Sequence, residues 1–136
     1  MDIGNALEFL RSNHWSVLIA RKSNGDPQPS PVNHGVDAQG RVVISSREPA
    51  YKVRNIRRDP RVSLCAFTNR FYGEWVNIDG TAEIISLPEA MEPLVDLFRQ
   101  IQGEHPDWDD YRAAMVRDKR LIIAITPTSA GPDRAG

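Results

Sequence analysis

The residues best suited to chemistry lie together in the run Ser45-Ser46-Arg47-Glu48-Pro49-Ala50-Tyr51-Lys52-Val53-Arg54-Asn55-Ile56-Arg57-Arg58-Asp59-Pro60. Ser45 and Ser46 close a short apolar stretch and can donate hydrogen bonds through their hydroxyls. Lys52 adds a compact point charge and Arg54 a planar fork, the two cation geometries that suit phosphoryl oxygens. A helix opening after Pro49 would turn its first N–H groups toward the same spot and favour an anion there. Arg47, Lys52, Arg54, Arg57, Arg58 and Arg61 are opposed locally by only Glu48 and Asp59, in a chain whose net charge is −1. Residue types alone leave two readings open: a phosphate grip, or a basic helix face turned to water.

Other constellations point away from metal and nucleophile chemistry. His14, His34 and His105 are far apart in sequence, and none pairs with Cys65 or a carboxylate at metal-ligand spacing, so no metal site is expected. Cys65 stands inside an apolar run and reads as a buried thiol. Glu104, Asp107, Asp109 and Asp110 read as helix-capping carboxylates, and no glycine-rich dinucleotide loop occurs. His34 is the one candidate proton donor or substrate contact, set against a structural histidine; no other catalytic group is assigned. The near-zero net charge and the lack of aromatics among the basic residues argue against a nucleic-acid partner. No apolar run approaches the roughly 20 residues a membrane helix needs, and no basic-then-apolar leader opens the chain. A cytoplasmic location is the expectation.

These residues need a scaffold, and 136 residues with 40% hydrophobic content suffice for one core without staples. Residues 2–12 carry a helical apolar stripe. Residues 15–20 read as a strand, with Asn24-Gly25 turning the chain into a return strand over 28–36. Pro27, Pro29 and Pro31 cannot donate ladder hydrogen bonds, which puts that return strand at an edge or against a ligand. A turn at 37–40 leads to a strand at 41–45, then a basic amphipathic helix over 51–58 stopped by Asp59-Pro60. Strands follow at 62–68 and 75–85, the second continuous through Asp79-Gly80 with a glycine bulge because Val76, Ile78, Ala82 and Ile84 keep one face. Ser86 and Glu89 have capping-box spacing before a helix that runs to Gly103. A further helix at 107–117 and a strand at 121–126 complete a domain over 1–127, with 128–136 as a frayed tail. About six strands with helices outside them imply a mainly β fold, a small closed barrel.

The spacing of Ser46, Lys52, Asn55-Ile56, Asp59-Pro60 and Leu64 resembles the signature of the pyridoxamine 5′-phosphate oxidase-like split-barrel superfamily. The likeness extends to its flavin/deazaflavin oxidoreductase B branch, whose members use coenzyme F420. It rests further on residues 26–30, Glu48-Pro49, Lys52 with Arg54-Asn55, residues 79–82 and residues 103–112, and spans about 7–127.

The resemblance implies a split β-barrel homodimer with two cofactor sites at the dimer interface. It matches Lys52 to the family's phosphate-binding lysine and sets Ser45 and Ser46 at the strand end facing that phosphate, with Arg54 and Asn55 close by. It aligns Gln28, Pro31, Val32 and Asn33 with the strand along the cofactor ring, and Ile44 with the strand beneath it. Tyr72 and Trp75 fall where the second subunit covers the cofactor. The implied activity is F420-dependent hydride transfer between reduced deazaflavin and an unsaturated small molecule. FMN on the same barrel, or a non-catalytic F420 or flavin carrier, are the alternatives. Two departures argue against pyridoxamine phosphate as substrate: Tyr51 replaces the arginine that precedes the lysine in the vitamin-salvage oxidases, and their Trp- and Arg-bearing terminal segment has no counterpart after Pro127. Ala50 replaces a position that can be basic in the deazaflavin relatives, a contact Arg47, Arg57 or Arg58 could replace.

Overall fold

The computed structural model describes residues 1–70 and 72–133. In chain order the elements are α1 (Ile3–Ser12), β1 (Trp15–Arg21), β2 (Pro27–Asn33), β3 (Gly35–Val36), β4 (Val42–Arg47), α2 (Tyr51–Arg58), β5 (Arg61–Phe67), β6 (Trp75–Ile85), α3 (Met91–Gln102), α4 (Trp108–Arg117) and β7 (Arg120–Gly131). The strands form one antiparallel sheet ordered β2-β1-β5-β6-β7-β4-β3. Its two outer strands, β2 and β3, are separated in sequence by His34 alone. One residue cannot span a flat sheet of this width, so the sheet must curl until its edges adjoin. That curl, open between β2 and β4, is the split of the barrel.

Alternation along the strands separates two cores. Val42, Ile44, Leu64, Ile78, Leu121, Ile123 and Ile125 fill the barrel with Leu10 of α1 and Val53 and Ile56 of α2. On the opposite face of β4 and β7, Val43, Ile122 and Ala124 pack under Leu94, Val95 and Leu97 of α3 and Tyr111 of α4. α2 forms because Val53, Asn55 and Ile56 share its buried face while Arg54, Arg57 and Arg58 face out. Asp2 caps α1 and Asp107 caps α4 through side-chain hydrogen bonds to backbone N–H groups.

The mainly β split-barrel expectation holds, with three local corrections. The expected return strand is two strands, β2 and β3, because His34 leaves the ladder where the chain crosses the split; this brings the count to seven. The capping box does not form: α3 begins only at Met91, capped by Ala90 without a side-chain bond, because Ser86 Oγ is engaged by the Glu48 carboxylate at 2.8 Å. The closing strand runs on to Gly131, past the Pro127 boundary, because Ser129, Ala130 and Gly131 pair with Asp79, Ile78 and Asn77. Positions 134–136 of the expected tail lie outside the described residues.

The β6–β7 register shifts between Asp79 and Gly80, the bulge expected from the pattern. A Cβ at Gly80 would lie 2.4 Å from the Thr126 carbonyl oxygen and 2.9 Å from Ile125 Cγ2. Gly80→Ala is therefore expected to cost about 1–3 kcal/mol, the range for overpacking a fixed backbone contact. Urea unfolding of the two proteins measures it, and equal stability would show that the strands are free to separate there.

Candidate functional site

Two strands that are near in sequence but lie toward opposite ends of the sheet order meet at the split. β2 ends in Pro31, Val32 and Asn33, and β4 carries Ser45; between them a groove of about 480 Å³ opens, with Lys52 of α2 and Arg120 of β7 in its wall. Leu97, Phe98 and Ile101 of α3 and Tyr111 and Met115 of α4 supply its apolar side. A second depression of about 380 Å³ shares Pro31, Val32 and Asn33 and continues toward Trp15 and Phe67. The proline-bearing edge of the sheet thus borders both hollows. Ladder donors are missing at Pro27, Pro29 and Pro31, which keeps this edge from adding a further strand.

The basic segment sorts into engaged and unengaged cations. Arg57 pairs with Glu48 at 2.9 Å and Arg61 with Asp59 at 2.7 Å. Both carboxyls are held below the usual carboxylate range by these partners; Asp59 falls to about 2, and Ser86 assists at Glu48. Arg58 donates to the Arg21 carbonyl and to Asn55 Oδ1, and Arg47 Nε to the Asp118 carbonyl. Arg54 lies outside the groove with its guanidinium 5.7 Å from the centre of the Tyr51 ring. Lys52 is different. It is half-buried in the groove wall, and among the described residues it makes neither an ion pair nor a hydrogen bond. Burial, and then the neighbouring Arg120 charge, push its ammonium below the ordinary lysine value. A desolvated cation beside a second cation is a site for an anion.

The structure thus brings Lys52, Ser45, Pro31, Val32 and Asn33 together. It does not bring the other expected residues to that groove. Ser46 and Ile44 point the other way along β4, into the barrel, 5% and 0% exposed respectively, because neighbouring strand residues alternate faces. Asn55 is buried and spends its amide on Gln28 Oε1 and Arg58, tying α2 to β2. Tyr72 and Trp75 lie with Trp15, Phe67 and Cys65 around a separate apolar hollow of about 560 Å³. Cys65, expected to be buried, is half-buried beside this hollow, and its partial burial pushes the thiol up.

His34 is corrected as a candidate proton donor. Its ring is 0% exposed and borders neither hollow at the split. Nδ1 bonds Ser16 Oγ at 2.8 Å, while its own carbonyl meets His14 Nδ1 and its N–H donates to the His14 carbonyl. It is a pin at the crossing from β2 to β3. Arg120, Tyr111 and the α3–α4 residues were not foreseen. Their only sequence signal is the basic pair Lys119-Arg120 opening a strand, and its relevance depends on the β4–β7 register that sets Arg120 opposite Arg47.

Against this geometry, the model of the pyridoxamine 5′-phosphate oxidase family matches residues 4–131. The chain belongs to that family. Among solved structures, a conserved hypothetical protein from Mycobacterium tuberculosis superimposes with a TM-score of 0.79 at 22% identity, covering 100% of this chain and 92% of the other. An F420 reductase matches at TM-score 0.70 and 21% identity, covering 91% of this chain and 94% of the other. A FAD-binding protein from Mesorhizobium loti matches at TM-score 0.65 and 16% identity, covering 96% and 90%. At these identities the likeness is one of fold. In the described part of this family member no cluster of metal-ligating side chains occurs, and no helix is long and apolar enough to cross a membrane.

Burial drives the His34 pKa down from 6.5 to about 4, aided by the nearby His14, while the Asn13 and Leu10 carbonyls pull the other way. Its folded-state pKa is depressed, so the unfolded chain binds the proton more readily between those values. Stability present above pH 6.5 is then lost as pH falls toward 4, by about 3 kcal/mol at 1.36 kcal/mol per pH unit. Denaturant unfolding across that range should show this slope, and His34→Gln should flatten it; an unchanged slope in the variant would dissociate it from His34.

Proposed function

We propose that this family member is an F420-dependent oxidoreductase that transfers a hydride between reduced deazaflavin and an unsaturated small molecule. One observation carries the reading: a half-buried lysine with no ion pair among the described residues, lining with Ser45 a groove under an open proline-bearing strand edge. Its donor set fits a phosphoryl group, which needs hydrogen-bond donors and positive charge in a partly dry setting. The apolar wall from α3 and α4 fits the body of a ring system better than it fits a free ion. The F420 reductase among the fold neighbours supports the choice of deazaflavin.

When bound, a deazaflavin or flavin supplies the hydride chemistry itself. The work left to this chain is to bind and orient. Lys52 and Ser45 hold the phosphate, while Pro31, Val32 and Asn33 offer a rigid edge whose backbone is constrained by its prolines. Leu97, Phe98, Ile101 and Met115 exclude water from that side of the groove. No side chain in the groove is assigned a proton transfer.

The working form proposed is a homodimer, with a second copy completing each site. Its support is the apolar hollow bounded by Trp15, Tyr72 and Trp75, which are 54%, 95% and 39% exposed. FMN is the second reading, since its phosphate would meet the same lysine, and the FAD-binding protein among the fold neighbours supports it. A non-catalytic carrier remains distinct from both: it would hold cofactor without turnover across unsaturated acceptors.

Titration of the purified protein with F420 and with FMN side by side tests the reading. F420 should bind more tightly than FMN, whose bound form absorbs at clearly longer wavelength. Lys52→Ala should weaken the preferred cofactor by about 1.5–3 kcal/mol, the range for a lost charge-assisted hydrogen bond. Binding of neither cofactor would overturn the proposal, and unchanged affinity in the variant would remove Lys52 from the site.

A further inference from the structure

We propose that Arg120 is the second cation of the phosphoryl site, gripping the same anionic group as Lys52 from the wall of the same groove. The inference rests on the reading of that groove as a cofactor site and names a binding residue within it. Arg120 opens β7 immediately after Lys119, which adopts a left-handed conformation (φ 55°). That tight link and the pairing of Arg120 with Arg47 hold its backbone at the groove rim, since Arg47 ends the strand that carries Ser45. Its side chain lines the groove with Lys52 and Ser45, yet among the described residues it makes no hydrogen bond and no ion pair. The carboxylate nearest in sequence, Asp118, also lines the groove but stands 3.7 Å from Arg117 Nε, and its carbonyl takes Arg47 Nε. Tyr111, the other polar neighbour, donates its hydroxyl to the Leu94 carbonyl.

Two like charges share a pocket wall and neither makes an ion pair among the described residues, an arrangement that costs stability in the free protein and is relieved by a ligand carrying negative charge. The chemistry of the pair differs usefully. A lysine supplies one mobile point charge, whereas a guanidinium offers two parallel donors to two oxygens of one phosphoryl group. Together they suit a multiply charged phosphate ester over a neutral ligand.

The test uses Arg120→Gln and Arg120→Lys beside the unaltered protein, with FMN, riboflavin and inorganic phosphate as probes. The ammonium of Lys52, one of three lysines in the chain, is followed by NMR. Arg120→Gln should weaken FMN by roughly 10- to 100-fold, as for a lost charge-assisted contact. Riboflavin, which lacks the phosphate, should bind both proteins equally, and Arg120→Lys should recover part of the loss. Without ligand, Arg120→Gln should raise the Lys52 pKa because a like charge has gone. Equal FMN affinity, or an unmoved Lys52 titration, would overturn the proposal. If the unaltered protein binds neither FMN nor F420, the functional reading falls separately. Phosphate then decides Arg120: a Lys52 response lost in Arg120→Gln supports it, and a retained response refutes it.

Discussion

The site depends on one strand being held from both sides. β7 pairs with β6 along one edge and β4 along the other, and Leu121 to Ile125 are 0–1% exposed. Leu121, Ile123 and Ile125 enter the barrel, while Ile122 and Ala124 enter the layer under α3 and α4. A strand buried on both faces has no register to slip into, since a shift of one residue would exchange its two apolar sets and strip its ladder bonds. Both cores therefore share a rigid wall, and the end of that wall carries Arg120 to the groove rim. β4 inherits the same rigidity, which sets Ser45 outward and Ser46 inward.

Charge compensation sets the groove apart from the rest of the basic segment. Arg57, Arg58, Arg61 and Arg47 are engaged by carboxylates or carbonyls, and the first two tie α2 to Glu48 and to the Arg21 carbonyl. Exposed pairs of this kind contribute little stability, yet they neutralise charge and fix side-chain directions. Arg54 lies along Tyr51 outside the groove. What is left uncompensated and partly dry is Lys52 with Arg120. Membership of the pyridoxamine 5′-phosphate oxidase family and the fold shared with an F420 reductase accord with an anionic cofactor at that point.

The barrel was legible in the sequence because its signals are local. The prolines of β2, the unbroken face of β6 across Gly80, and the buried stripe of α2 are each readable within a dozen residues. The cationic run around Lys52 was legible for the same reason. What escaped the sequence depends on long-range pairing. Arg120 joins Lys52 only through the β4–β7 register, and the α3–α4 wall only through packing on Ile122 and Ala124. Ser86 looked like a cap because its spacing to Glu89 is right, but tertiary contact with Glu48 claimed its hydroxyl. From its residue type His34 reads as a proton donor, a substrate contact or a structural histidine, and the crossing between sheet edges buries it.

The most direct measurement is a crystal structure grown with excess F420, with FMN as a parallel soak. It should show the phosphate within hydrogen-bond distance of Lys52 Nζ and Ser45 Oγ, in the opening between β2 and β4. An empty opening, with the Lys52 ammonium directed into solvent, would contradict the account.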